Sequence, residues 1–506
     1  MTSTTPTPCT AKWPTMALTL ATLGCSALLA PNAQAKMLYV STTGNDAVTY
    51  ANNSVTQPWR SITKAGKSAL PGDTVNIGAG NYVQPLKVAN SGTSSARIVF
   101  KTQSGNRDVT IQRYTVDISG KSYITIKDLI IQNVYKDVPS GPNTIGIAVS
   151  GPSKGVTISG NIIVNTSGSA IAAWGTGDYD PTTNTGRTAT YDYKGIQYLI
   201  VENNIIFNAV VNGWNEAITI ANGVDTFFIR NNTLSRSATI TNTSGGEAID
   251  IKEGASNGYI SGNKISQYNG NMIYLDAGGR EDQPGVLTYA ASNPPKLKNI
   301  NVYNNVVSNN TYCICNAIML AAEGHGSMDG IKIYNNLINN NGGSGVTIYA
   351  HPSMKPDSVI ANVSIANNSF YNNGWTPNAT EENYHGDIDI NTENSPNVTA
   401  NFKNITIRNN AGFKSVGYIQ RGISVSAYEL GYVTVSNNSD TVVNDELNGA
   451  TNPYVNAAAR DFRLNAGSSA IDQGAPVGVA GIPSVDITGA VRPKGLGVDI
   501  GAYESF

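Results

Sequence analysis

The sequence predicts an all-β solenoid, a right-handed parallel β-helix, on three observations. A short unit recurs: an alternating apolar strand ended by Asn-Asn or Gly-Asn, as in VENNII (201–206), FIRNNTL (228–234), YISGNKI (259–265), VYNNVV (302–307) and IYNNLI (333–338). Counted at the second Asn of each copy, from Asn204 to Asn438, the unit advances by 28, 31, 42, 31, 32, 42 and 28 residues. Between copies lies a second strand of period two, such as NEAITIA, GEAIDIK, GNMIYLD and CNAIMLA, and no helical period intervenes. One such unit cannot bury its apolar face alone, whereas stacked units can. The LxxLxL of leucine-rich repeats is absent, and so is the hairpin spacing of a propeller. An Asn at a fixed place suits a left-handed turn residue, and stacked Asn side chains can bond from turn to turn. The 42-residue steps read as ordinary turns carrying inserted loops.

Taken in chain order, residues 1–35 read as a secretory signal: Lys12, no acid, the apolar run MALTLATLGCSALLA and then Ala33-Gln34-Ala35 as a cleavage pattern. A lipoprotein signal at Leu23-Gly24-Cys25 is the competing reading. Residues 36–110 are expected to form an N-terminal cap and the first turns, with SITKAGKSAL as a short amphipathic helix. Residues 111–440 form the solenoid proper, and 441–506, which break the Asn-Asn rhythm, an irregular C-terminal cap. Caps keep the ends of a stacked array soluble and unpaired. No later apolar run is long enough to span a bilayer, so a secreted or periplasmic monomer, free of the membrane once cut, is expected.

Only 13% of the residues are charged, against ~25% in ordinary globular proteins, so each charge on a strand is informative. Formal net charge is −2, which argues against nucleic acid as a partner. After signal cleavage two cysteines remain, Cys313 and Cys315, too few for a disulfide framework or a zinc site, and they read as two small packed side chains.

Aligning the second strand of each unit on its inward pair (Ile147/Val149, Ile171/Ala173, Ile218/Ile220, Ile249/Ile251, Ile273/Leu275, Ile318/Leu320, Val346/Ile348, Ile388/Ile390) fixes what faces outward. One outward column is Ala148, Ala172, Thr219, Asp250, Tyr274, Met319, Thr347 and Asp389. The next is Ser150, Trp174, Ala221, Lys252, Asp276, Ala321, Tyr349 and Asn391. Asp250, Lys252, Tyr274 and Asp276 thus make a two-by-two patch on adjacent turns, with Glu323, Tyr349 and His351 above and Trp174 below. The loop after Asp276 adds Arg280. A shallow groove with acids, a base and aromatic platforms suits an extended sugar chain. The bland alternative is a cross-strand ion pair between Lys252 and Asp276. Glu216 and Glu247 read as structural, His325 as a turn residue, and His351 and His385 as surface histidines.

These residues also resemble a family. YVSTTGND…PWRSITKA…PGDTVNIGAGNY is similar to the N-terminal region of secreted bacterial β-helix proteins acting on polysaccharides, and DITGAVRPKGLGVDIGAYE to a C-terminal segment of many of them. GEAIDIKEG…GNMIYLDAG resembles β-helix polysaccharide lyases of the pectate- and alginate-lyase kind. The resemblance implies an enzyme acting on an acidic polysaccharide. The DDGYD-type calcium motif, the DPHE motif of mannuronan epimerases and the NTD, DD and RIK signatures of polygalacturonases are missing, and GHG at 324–326 does not precede the expected strand. Fold alone does not set a reaction.

Three readings of the patch follow. In a lyase, a base removes the proton α to a uronate carboxylate neutralised by a cation. Lys252 is then the base, Tyr274 the donor to the leaving oxygen, and Arg280, or a Ca²⁺ held by Asp250 and Asp276, the neutralising charge. A base must be neutral, and Asp276 raises the amine's proton affinity, so this reading needs the second cation. In an inverting hydrolase, Asp250 and Asp276 are the carboxylate pair, their strand positions ~8 Å apart from the rung and strand spacings. A non-catalytic carbohydrate-binding β-helix is the third. Replacing Lys252 is expected to abolish turnover and leave unfolding almost unchanged.

Overall fold

The computed structural model describes residues 35–134, 145–175, 195–211, 215–237, 246–278, 296–310, 313, 315–374, 386–391, 401–415, 422–424, 431–439, 441–442 and 451–505. The signal segment and Cys25, together with Arg280 and His385, lie outside the described residues. Among the described residues, no helix is long and apolar enough to cross a membrane.

Among the described residues three long parallel sheets, spanning Met37 to Val442, make a right-handed parallel β-helix. Sheet A has 13 strands, from Met37–Val40 to Val433–Ser436; sheet B has 11, from Gly80–Tyr82 to Ala411–Phe413; sheet C has 12, from Leu86–Lys87 to Thr441–Val442. Each turn visits C, A and B in that order, as in Ile147–Ser150, Ser153–Ser159 and Ile162–Thr166. The period-two apolar residues of all three sheets point inward into one continuous core, including Ile158, Ile163, Ile171, Ile229, Ile260, Ile273 and Ile333. Parallel strands need crossovers, and the sheets on the other two sides supply them without helices.

The corner between sheets A and B explains the Asn-Asn signature by dividing it. The first residue of each pair takes the left-handed conformation, at Asn203, Asn231, Asn304, Asn335, Asn367, Asn409 and Asn437, with Gly160 and Gly262 where the pair is Gly-Asn. The second turns inward. From Asn161 through Asn204, Asn232, Asn263, Asn305, Asn336, Asn368 and Asn410 to Asn438, each Nδ2 donates to the Oδ1 of the next at 2.9–3.1 Å. Each Oδ1 also accepts the backbone N–H of the Asn below, as Asn263 Oδ1 does from Asn232. The buried carboxamides satisfy a polar corner that water does not reach.

At the N-terminal end the expected helix is present as α1, Ile62–Ser68, with the Ser61 side chain accepting from Lys64 N–H. Ile62, Ala65 and Gly66 are its buried face. It lies under the first edge of sheet C, where Ala89 N–H bonds to Gly66 O at 3.0 Å.

Two expectations change. The C-terminal segment folds back along the flank of the last turns rather than closing the end. Its Tyr454, Phe462 and Ile500 pack with Leu337, Tyr371 and Ala411 of sheet B. The outward Asn335, Asn367, Asn409 and Asn437 donate to its carbonyls at Val485, Asp499, Ala475 and Gln473. Cys313 and Cys315 are not two separate packed side chains but a disulfide across two residues, in the B-to-C corner before Ile318–Ala322.

Candidate functional site

The register of sheet C places the outward columns as the alternation requires. Thr219 pairs with Asp250, Asp250 with Tyr274, Tyr274 with Met319, Met319 with Thr347 and Thr347 with Asp389. In the next column Trp174 pairs with Ala221, Asp276 with Ala321, Ala321 with Tyr349 and Tyr349 with Asn391. Lys252 lies one residue past its strand, Ile249–Ile251, and its N–H still bonds to Ile220 O at 2.7 Å, which carries the column through.

The wall is less open than an exposed groove. Asp250 is 1% exposed, and Asp276, Glu216, Glu253, Glu323 and Tyr274 are also buried. Trp174, Lys252, Tyr349 and His351 are half-buried and give the patch its opening. Alanines at 221 and 321 separate the central charges from Trp174 below and Tyr349 above.

At the centre the Lys252 ammonium has three carboxylate neighbours: Asp250 Oδ2 at 2.7 Å, Asp276 Oδ2 at 3.2 Å and Glu216 Oε1 at 3.3 Å. This is more than the single cross-strand pair of the bland alternative. Burial lowers the proton affinity of the amine, but Asp250, Glu216 and Asp276 raise it further, and it ends well above that of free lysine. As the residues stand Lys252 is therefore charged, and a charged amine is no base. The base role needs those carboxylates drawn away.

The carboxyls are pushed up as well, in their case toward the neutral form. Burial raises Asp250 well above the usual range despite Lys252, and takes Asp276 to about 7. Burial also raises Glu247 and Glu253. Tyr274, raised by burial and by Asp276 and Glu323, keeps its proton, and its hydroxyl donates to Glu323 Oε1 at 3.2 Å. The same oxygen lies 3.5 Å from His351 Nε2, and the His351 ring meets Tyr349 edge-on at 5.9 Å. His325 pairs with Asp357 at 2.9 Å in a turn that begins at Gly324.

Asp250 and Asp276 do not stand apart as an inverting pair. Both reach one nitrogen, at 2.7 and 3.2 Å, so their nearest oxygens are no farther apart than the sum of those distances. That sum is below the ~6.5–9.5 Å that leaves room for an attacking water, and the ammonium fills the gap.

The sequence reads Glu216 and Glu247 as structural, and the structure brings both to the centre of the patch. Oxygens of Glu216, Glu247 and Asp250 lie within 4.8 Å of one another. Ca²⁺ takes oxygens at ~2.3–2.6 Å, so such a triad fits one side of its shell. The buried Asp250 Oδ1, which accepts no hydrogen bond among the described residues, has a lone pair to give. Asp276 is not in this set, which differs from the Asp250–Asp276 pair expected from sequence. The missed signal was the repeat itself: NEAITIA and GEAIDIK set Glu216 and Glu247 at the same place on successive turns. Two like charges stacked in register call for a cation between them.

No family model matches the chain. An uncharacterised protein of Bacillus subtilis (strain 168), YwoF, is 34% identical over 137 residues, 25% of this chain and 28% of that protein's length. Among solved structures, pectate lyase Pel9A is 14% identical at a TM-score of 0.48, over 93% of this chain and 97% of that one. A rhamnogalacturonan lyase is 11% identical at 0.43, over 83% and 90%. A tailspike protein of E. coli bacteriophage HK620 is 12% identical at 0.48, over 72% and 59%. Similarities of this size say nothing of the reaction, which rests on the side chains.

Proposed function

We propose that this protein is an exported lyase that cleaves an acidic, uronate-containing polysaccharide by β-elimination, with the chain lying along the outer face of sheet C. The observation that carries the reading is the convergence of Asp250, Asp276 and Glu216 on the one ammonium of Lys252, beside a protonated tyrosine and between two half-buried aromatic residues. A strongly acidic pocket repels a uronate unless a cation intervenes. Glu216, Glu247 and Asp250 would hold a divalent cation, which would neutralise the uronate carboxylate and favour a neutral amine nearby.

Two of the three carboxylates that keep Lys252 charged belong to that triad, and an oxygen committed to a cation cannot also hold the ammonium. Relieved of them, the Lys252 ammonium would release its own proton to solvent, and the neutral amine would take the proton α to the uronate carboxyl as the bond to the leaving oxygen breaks. The Tyr274 hydroxyl gives its proton to the leaving glycosidic oxygen, and Asp276 keeps the amine in place. Trp174 and Tyr349 flank the centre as sugar platforms, and Arg280 supplies further charge for the uronates.

One observation favours a second reading. Asp276, pushed up to about 7, holds its proton near neutral pH as the general acid of a glycoside hydrolase must. Incubation with pectate, alginate and glycosaminoglycans separates the two. Absorbance of an unsaturated uronate, lost with chelator, is expected. New reducing ends without that absorbance would instead identify a hydrolase, and neither product would leave a carbohydrate-binding solenoid.

A further inference from the structure

The outer face of sheet A, a different wall from that of the acidic centre, carries its own pattern. Phe228 and Tyr259 are register partners whose rings stack at 5.1 Å and 8°. One turn on and one column over, Tyr303 and Tyr334 are partners stacked at 4.9 Å and 4°. The open side of Tyr303 looks onto Ser261, its partner below, and that of Tyr259 onto Asn301 above, so a small or polar neighbour leaves each stack an uncovered edge. Tyr259 is exposed, and the other three rings are half-buried.

Charge on this wall is sorted. The acids there are engaged: Glu202 with Arg230 at 2.7 Å, Asp225 with Ser256 and Asn257, Asp329 with Asn362. Lys298, whose register partner is Asp329, and Lys332, whose partner is Asn301, are exposed and form no ion pair within 4 Å among the described residues. Farther along, the C-terminal segment covers the wall, with Gly481 backing onto Ser364 and Thr406. That segment reaches the far end of the aromatic stripe, where Asn335 beside Tyr334 donates to Val485 O, and Phe228, Tyr259 and Tyr303 lie on earlier turns.

We propose that this stripe, Phe228, Tyr259, Tyr303 and Tyr334 with Lys298 and Lys332, is a second, non-catalytic binding surface for the acidic polysaccharide; the substrate class rests on the reading of the sheet C centre. Aromatic rings offer apolar faces and edges to sugar rings, and unpaired ammonium groups answer uronate carboxylates. Cross-strand stacking alone would stabilise the solenoid but would not account for exposed lysines on the same wall, Lys332 standing in the column of Tyr259 and Asn301. A polymer held on sheet A raises the local concentration of chain presented to sheet C.

Affinity electrophoresis tests this, in a Tyr274→Phe background that removes the proposed proton donor and spares the gel. Retardation is expected in gels containing polygalacturonate or alginate and not in dextran. Tyr259→Ala/Tyr303→Ala should lose most of it. Lys332→Glu, which disturbs neither stack, should lose part, as added salt does. Placed in the otherwise unaltered enzyme, the same substitutions should leave turnover of short oligosaccharides unchanged. Unchanged retardation in both variants, equal retardation in dextran, or none in any gel overturns the inference. A protein that is retarded through these residues yet cleaves nothing would overturn the lyase reading alone, and one that cleaves uronates with variants retarded as the parent is would overturn the sheet A surface alone.

Discussion

Lys252 Nζ stands 2.7 Å from Asp250 Oδ2, and the other oxygen of that buried aspartate accepts no hydrogen bond among the described residues. The ammonium is therefore the main compensation for a carboxylate that water scarcely reaches, and it serves Asp276 and Glu216 as well.

Lys252→Met should accordingly destabilise the fold, on the order of 3 kcal/mol at pH 8, because it strands buried negative charge. This reverses the sequence-based expectation of an almost unchanged unfolding curve, which pictured an exposed lysine. The deficit should shrink at pH 5, where the stranded carboxyls take up protons. Guanidinium unfolding of both proteins at the two pH values measures it, and equal deficits would refute the caged-ammonium picture.

Asp276 gives a pH dependence with a definite sign. Its carboxyl is raised from 3.8 to about 7 in the fold, chiefly by burial. Between those values the native state holds a proton that the unfolded chain releases, so this group makes stability fall as pH rises from about 4 to about 7, with no further change above. Asp276→Asn should remove that slope and retain a neutral donor of similar shape. Unfolding midpoints at pH 4.5, 6 and 8 in the two proteins check it.

The legible and illegible parts of the sequence differ for a physical reason. Strand alternation has period two, so once Ile249 and Ile251 are set inward, Asp250 and Tyr274 are forced into adjacent outward positions, and the register bears this out. Corners obey no such rule. Glu216 and Glu247 sit two residues before the first inward isoleucine of their strands, where backbone alternation does not fix side-chain direction, and they turn into the site. Side-chain reach was equally hidden: the spacing of strands put Asp250 and Asp276 well apart, whereas attraction to one ammonium draws their oxygens together. The C-terminal segment's return along sheet B depends on contacts more than a hundred residues apart, such as Arg492 with Asn335, which no local pattern announces.

The asparagine ladder should be most sensitive at its middle. Asn263 donates to Ile229 O and to Asn305 Oδ1 and accepts from Asn232, all in the buried corner. Asn263→Ala leaves those partners unpaired, at about 1–3 kcal/mol for each group stranded. Asn438, the last described rung, has a carboxamide below it at Asn410 and is only partly buried, so Asn438→Ala should cost less. Urea midpoints of the two variants rank them, and equal losses would mean that the ladder is not cooperative along its length.

The carboxylate triad makes a prediction that does not depend on turnover. Oxygens from Glu216, Glu247 and Asp250 already lie within 4.8 Å of one another, and Lys252 occupies part of their charge. A divalent cation that binds the native state alone stabilises it by RT ln(1 + [L]/Kd), about 2.7 kcal/mol at a hundredfold excess over Kd. Ca²⁺ should therefore raise the thermal midpoint of the unaltered protein, and EDTA should reverse the rise. Because the ammonium competes for the same oxygens, Lys252→Met should bind Ca²⁺ more tightly than the parent, while Glu216→Gln, which removes a charged ligand and keeps the shape, should bind it more weakly. Calorimetric titration gives the three affinities. A Ca²⁺ response that Glu216→Gln leaves intact would place the cation elsewhere, and with it the means by which Lys252 could ever act as a base.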